Sequence, residues 1–337
     1  MSKERTNTAD FVQHVKDLLG KGAVSRLQVE KIAKTQYGIE NAIEVKELTE
    51  LAIVYQARYL SANAKNADDG LRKITELYHR QPHLSLRTSN TISMQQYSTP
   101  APVAYLMGLY CGIDAKENGM YLEPSAGNGM LTIAAHTPYR FTVNELDDLR
   151  VKNLKTQGFW EVTQLDALSD ALSRKLIFGS FDAVLANPPF GPLPEDKWVN
   201  IFGYLIKDLD HYMILRALIF MEEYGKAALI IGGHTEWDEQ GRVQAGKNRV
   251  FLNLLYKYYI VDDIVLMDNS FFAKMGTTFP TRLILISGRQ PTHTYNTPLK
   301  TEKAATVVRT FEELKRRIDY LAIPKKLLEL YPLLQKI

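Results

Sequence analysis

The chain has 337 residues, 45% of them hydrophobic and 23% charged, with a formal net charge of +3, an ordinary globular composition with room for a large core and a smaller attached domain. One cysteine, Cys111, excludes an internal disulfide framework, and seven scattered histidines show no ligand spacing such as His-Glu-x-x-His, so no metal is expected. No apolar run approaches the ~20 residues of a membrane span, and the polar start Met-Ser-Lys-Glu-Arg-Thr carries no secretory signal, so the chain is expected in the cytoplasm, away from membranes.

Residues 1–92 carry helical patterns: a stripe from Phe11 to Leu19 closed by Gly20, a longer one from Ile43 to Tyr59, and a third from Gly70 to His79. They predict a small helical domain, with 81–90 as its exit linker and with DNA contact, partner contact or the covering of one end of the main domain as its role. From 93 to 290 the character changes. Tyr97-Ser-Thr-Pro100 places a hydroxyl and then a proline at a helix entrance, an N-terminal capping sequence.

Strands are then predicted at about 119–123, 141–145, 159–164, 181–186, 226–232, 260–266 and 281–287, with helices near 129–136, 147–157, 208–222 and 247–257. Apolar strands alternating with helices imply an α/β fold, a Rossmann-like sheet of seven strands covered on both faces. The last two strands are joined by Asp268 to Pro280 without a helical pattern, which predicts a hairpin and an antiparallel strand at the sheet edge. Residues 291–337 form a helical extension through Leu314 and Ile318, broken at Pro324 and resumed at Leu327, Leu328, Leu330 and Leu334.

The turn Glu123-Pro-Ser-Ala-Gly-Asn-Gly129 follows the first strand. Gly127 and Gly129 there let the backbone approach a ligand and aim N–H groups at it, while Glu145, at the tip of the second strand, stands where a ribose is held by its hydroxyls. The strand Phe181–Ala186 delivers Asn187-Pro-Pro-Phe190 to the same crevice, since ligands of open α/β sheets bind beyond the carboxyl ends of strands. Two prolines hold Asn187 and Pro188 extended, so the amide oxygen of Asn187 and the Pro188 carbonyl point outward as rigid acceptors.

That array suits an exocyclic amine on a base, whose lone pair is delocalised into the ring. Two acceptors that grip both amine hydrogens favour the pyramidal nitrogen that attacks an electrophilic methyl, and Phe190 is placed to stack on a base that has left its helix. A sulfonium methyl donor needs neither metal nor covalent protein intermediate. Asp166, after the third strand, is either an acceptor for the cofactor's adenine amine or a helix cap, whereas Asp182, near the start of a strand, is read as structural.

At these residues the chain resembles the S-adenosylmethionine-dependent methyltransferases, and within them the enzymes of restriction-modification systems that methylate adenine N6 in DNA. Glu123, Pro124, Ser125, Ala126, Gly127, Asn128 and Gly129 resemble the family's cofactor loop; Glu145 and Asp166 resemble its two acidic positions; Asn187, Pro188 and Phe190 belong to a segment similar to its catalytic tetrapeptide. Thr99 and Pro100 resemble the motif that holds the methionine end of S-adenosylmethionine. The loop 271–278, with Phe272 and Lys274, resembles the wall of the target-base pocket, and the segment 230–288 is also similar to methyltransferase domains fused to helicase-like proteins of phages and mobile elements.

The resemblance implies S-adenosylmethionine as cofactor and double- or single-stranded DNA as partner, the target base flipped out or unpaired. A large recognition domain after the catalytic one is missing from the pattern. Sequence readout is therefore expected from the N-terminal helices, from His234, Trp237, Arg242, Lys247 and Arg249, or from a separate or fused recognition or helicase subunit. Competing readings are methylation of an RNA base amine or a protein glutamine amide, and a catalytically weak module that binds cofactor and DNA for a partner.

Overall fold

Strand β1 (Tyr121–Glu123) lies inside an eight-stranded sheet, between β2 (Phe141–Asn144) and β4 (Phe181–Ala186), and both neighbours run parallel to it. The computed structural model describes residues 3–84, 97–293 and 295–322. The expected boundary at 92, most of the linker 81–90, and the tail beyond Pro324 lie outside the described residues. Strand order across the sheet is β10-β8-β9-β7-β4-β1-β2-β3, with β3 at Glu161–Thr163, β7 at Met221–Gly232, β8 at Tyr259–Met267, β9 at Thr281–Arg289 and β10 at Val307–Val308.

The seven strands expected are present, with two differences. Strand β9 is antiparallel, as the helix-free connection predicts, but it lies between β7 and β8 rather than at the edge. The hairpin folds back into the sheet, where β9 pairs on both sides and buries both its faces, as its apolar Leu283–Ile286 run requires. The short β10 then adds to β8 as an eighth strand.

Alternation within the strands divides the core. Ala183 and Leu185 join one apolar cluster, and Val184 and Ala186 join the other. The first cluster also takes in residues from Phe11, Ile53 and Ile74 of the N-terminal helices to Ile318 near the other end. Helices α1 (Lys3–Lys21), α2 (Arg26–Ile32), α3 (Ala42–Ala62), α4 (Ala67–Arg80) and α5 (Ala101–Cys111) thus share the sheet's own core on that face. Short helices α6 (Asp148–Leu154) and α7 (Asp170–Lys175) follow β2 and β3. The opposite face is covered by α8 (Leu209–Leu218) and α9 (Lys247–Tyr258); α10 (Glu302–Ala305) lies between β9 and β10, and α11 (Phe311–Ala322) follows β10. No helix among the described residues is long and apolar enough to cross a membrane.

The helix expected at 129–136 is instead a three-residue 3₁₀ turn, Met130–Thr132. The Gly129 carbonyl accepts both the Thr132 N–H, at 3.1 Å, and the Thr132 Oγ1–H, at 2.8 Å, which closes a 3₁₀ turn in place of the first α-helical bond. The predicted helix 208–222 ends earlier, at Leu218, because β7 begins at Met221. A small hairpin, β5 (Val199–Ile201) with β6 (Tyr204–Ile206), fills the loop after Phe190 and carries no alternation long enough to read in sequence.

Candidate active site

The carboxyl ends of β1, β2 and β4 meet around a cavity of about 470 Å³. Asn144, the last residue of β2, sutures the strand exits: its Nδ2 donates to the Pro124 and Leu165 carbonyls at 3.1 and 3.0 Å, and its Oδ1 accepts from Thr163 Oγ1 and Leu165 N–H. The backbone of Ala126 donates to the Asn144 carbonyl at 2.8 Å, which fixes the start of the glycine turn. Gly127 and Gly129 then take left-handed φ values of 55° and 87°, the conformation in which a side chain is strained. A Cβ at Gly127 would meet nothing within 4 Å, whereas one at Gly129 would crowd Gln157, Leu154 and Phe159 at 3.1–3.3 Å. Gly127 faces the cavity; Gly129 serves packing.

Glu145 lines the cavity and is held by the backbone. Its Oε2 accepts the Gly127 N–H at 2.7 Å and its Oε1 accepts those of Leu146 and Asp147. Asp166 also lines the cavity, its Oδ1 taking the Leu168 N–H at 2.9 Å, while the cap of α7 is Ser169. Glu123 is 2% exposed, and burial, reinforced by the Glu145 charge, pushes its carboxyl well above the ordinary range against the opposing pull of Arg58. Its Oε2 has no hydrogen-bond partner, nor has the buried Ser125 Oγ in the same wall. Buried polar atoms left open along a cavity are the groups a polar ligand satisfies.

Helix α3 braces the back of the glycine turn with charge. Glu47 accepts from Asn128 Nδ2 at 2.6 Å and from Arg150 Nε at 3.0 Å, and Asn153 Nδ2 reaches Asn128 Oδ1 at 2.8 Å. Burial raises the Glu47 carboxyl, but Arg150 and Lys46 outweigh it and hold the group at about 2. Arg58 donates to Thr132 Oγ1 and Gln157 Oε1 at 2.7 and 3.0 Å.

On the other side stands Asn187. Its Nδ2 donates to the Tyr97 carbonyl at 3.1 Å and to Thr99 Oγ1 at 3.0 Å, which fixes which way the amide faces and leaves Oδ1 as its acceptor. Thr99 therefore does not cap α5, whose N-cap is Pro100 without a side-chain bond; its hydroxyl turns to Asn187 instead. Phe190 lines the cavity, and its ring lies 6.3 Å from that of Phe279 at 31°. Gly232 makes room for both rings, since a Cβ there would come within 3.1 Å of Phe279 and 3.2 Å of Phe190.

No family model and no curated protein sequence matches the chain. Solved structures do match. A Listeria monocytogenes protein described as a class I S-adenosylmethionine-dependent methyltransferase aligns over 92% of this chain and 96% of its own, at 15% identity and a TM-score of 0.50. The fold is that of the S-adenosylmethionine-dependent methyltransferases. A modification subunit of a type I restriction enzyme from Vibrio vulnificus aligns over 77% of this chain at 13% identity and a TM-score of 0.50, and this chain spans 58% of that protein's length.

Within this methyltransferase fold, Thr99, Glu123, Pro124, Ser125, Ala126 and Gly127 come together in one cavity wall. Asn128, Glu145, Asp166, Asn187 and Phe190 complete the expected set that lines it. Pro100 and Pro188 are buried outside the lining, where Pro189 stands instead. Phe272 is 1% exposed and packs in the core, as does Phe271 at 3%, so neither ring lines the cavity. Lys274 is likewise committed elsewhere: Nζ donates to the carbonyls of His79 and Gln81, tying the loop to the end of α4.

His234 Nε2 meets the Met267 carbonyl at 3.0 Å. Trp237 packs near α9 with Lys300 Nζ 5.5 Å from its ring centre, away from the cavity. Arg242 and Arg249 both bond Asp238, and Lys247 bonds Asp208 at 2.7 Å. Sequence reasoning missed Glu50, Tyr97, Arg150 and Met213, which also line the cavity. Nothing in the sequence marks Glu50, whose burial appears only in the fold.

Proposed function

We propose that the chain transfers a methyl group from S-adenosylmethionine to the exocyclic N6 amine of adenine in DNA, on a base that is flipped out or unpaired. The observation that carries this reading is the Asn187 amide: its nitrogen is occupied by Thr99 and Tyr97, so its oxygen is the atom offered to an incoming amine beside the cavity. An acceptor fixed in advance costs no reorganisation when the amine loses its conjugation with the ring. The cavity's polar groups support the cofactor reading: Glu145 for ribose hydroxyls, Asp166 for the adenine amine, and the open atoms of Glu123 and Ser125 for the remaining polar groups.

When bound, the cofactor supplies a methyl on a cationic sulfur whose bonding pair stays with sulfur as the new C–N bond forms. Asn187 Oδ1 holds one amine hydrogen through the attack, and the surplus proton leaves to solvent. Phe190 and Phe279 supply apolar ring surface at the mouth, which suits a planar base that has lost its stacking. The likeness to a modification subunit bears on DNA as acceptor, and sequence readout then falls to a partner or fused subunit.

The test is transfer of labelled methyl from S-adenosylmethionine to matched single- and double-stranded DNA, to RNA and to protein, with mass analysis of the nucleosides. N6-methyladenine in DNA is the expected product, and Asn187→Ala is expected to abolish it while leaving cofactor affinity nearly intact. Label confined to RNA or to glutamine would overturn the substrate assignment.

A further inference from the structure

Helix α3 carries one carboxylate that none of the roles above uses. Glu50 is 1% exposed, lines the cavity, and its Oε2 has no hydrogen-bond partner. Lys46 Nζ pairs with that same Oε2 at 3.5 Å without a hydrogen bond, because it bonds Glu47 at 2.6 Å, and Arg150 adds a second positive charge nearby. A buried carboxylate oxygen that is ion-paired but not hydrogen-bonded is stabilised by a further charged donor brought within bonding distance.

One turn earlier on α3, Glu47 grips Asn128, so Glu50 enters the cavity from the helix that braces the glycine turn, in a wall shared with Glu145 and Asn187. The methyl donor has two positive centres. Its sulfonium has no hydrogen to give, whereas its α-ammonium has three N–H donors, which is what an unfilled carboxylate oxygen takes.

We propose that Glu50 binds the α-ammonium of the donor's amino-acid end, which makes the N-terminal helical region part of the cofactor site. This rests on the cofactor reading above. Glu123 and Ser125 lie in the same wall, with an open carboxyl oxygen suited to a ribose hydroxyl and an open hydroxyl suited to the ligand's carboxylate.

Calorimetric titration of the full chain separates this from a structural role. S-adenosylhomocysteine keeps the amino-acid end but has no sulfonium charge; 5′-methylthioadenosine has neither. Glu50→Gln is expected to weaken S-adenosylhomocysteine by about 10- to 100-fold, the range for a charge-assisted bond, with 5′-methylthioadenosine unchanged within about twofold. Retained methylthioadenosine binding also reports a folded variant.

Equal losses for both ligands, or no loss for either, would overturn the proposal. Should the variant fail to fold, the wild-type chain with deaminated S-adenosylhomocysteine gives the same decision: a loss of similar size is expected, and unchanged affinity refutes it. A wild-type chain that binds neither ligand sinks the cofactor reading and this proposal together, whereas tight wild-type binding with an indifferent Glu50→Gln sinks this proposal alone.

Discussion

Thr99 Oγ1 accepts a hydrogen bond from Asn187 Nδ2 at 3.0 Å, joining the entrance of α5 to the exit of β4. With the Tyr97 carbonyl it decides which end of the amide faces the cavity. Valine at position 99 keeps the shape but removes the acceptor, so one of two restraints on the amide is lost. The expected effect of Thr99→Val is a fall in the methyl-transfer rate constant of about 5- to 30-fold, the worth of roughly one to two hydrogen bonds. Thr99→Ser should stay within about twofold of wild type. Single-turnover kinetics make the comparison, and a Thr99→Val rate equal to wild type would remove the positioning role.

Glu47 makes an acid-sensitive brace. Its carboxyl sits at about 2 in the folded chain against an ordinary 4.5, because Arg150 and Lys46 overcome its burial. A lowered folded pKa contributes stability above the unfolded value and loses it as pH falls through the folded one. The wild-type chain should therefore lose about 3 kcal/mol from this group between pH 4.5 and 2. Glu47→Gln should be less stable near neutrality by about 3–5 kcal/mol, the cost of leaving Arg150 with a broken buried pair, and should lack that acid-side decline. Urea unfolding across the pH range measures both; parallel curves for the two proteins would contradict the assignment.

Gly232 is the hinge of the aromatic pair. Its N–H donates to Asp210 Oδ2 at 3.2 Å and its carbonyl accepts from Arg282 Nη2 at 3.1 Å, so the backbone there has little freedom to retreat. An alanine methyl would press on Phe190 and Phe279, and overpacking of this kind costs about 1–3 kcal/mol. Gly232→Ala is expected to raise KM for the nucleic-acid acceptor with cofactor affinity unchanged. Steady-state assays alongside cofactor titration check this, and a variant impaired in cofactor binding instead would mean that the rings do not border the acceptor site.

Much of the architecture was legible because it rests on local rules. Short apolar runs located strands β1 to β4 and β7 to β9, and the glycine and proline punctuation located the two loops that meet at the cavity. Gly127 and Asn187 share a pocket because strands of a parallel sheet deliver their ends to one side. The 129–136 segment failed as a helix where the Thr132 hydroxyl returns to the Gly129 carbonyl and takes the Arg58 guanidinium of α3, a partner that no window of sequence contains.

What the sequence determined by itself is the order of the parts: a glycine turn after one strand, an acid after the next, and a proline-locked asparagine after another. What only the tertiary structure decided is where polar atoms find partners. Thr99 meets Asn187 rather than capping its own helix, Lys274 ties down α4 rather than facing a base, Phe272 turns into the core, and Glu50 arrives in the cavity from a helix far away in the chain. The reason is physical: propensity and periodicity act between neighbours along the chain. A buried hydrogen bond or ion pair is set by whichever groups the folded packing brings within about 3 Å, and that distance exists only after the sheet and its helices have closed on each other.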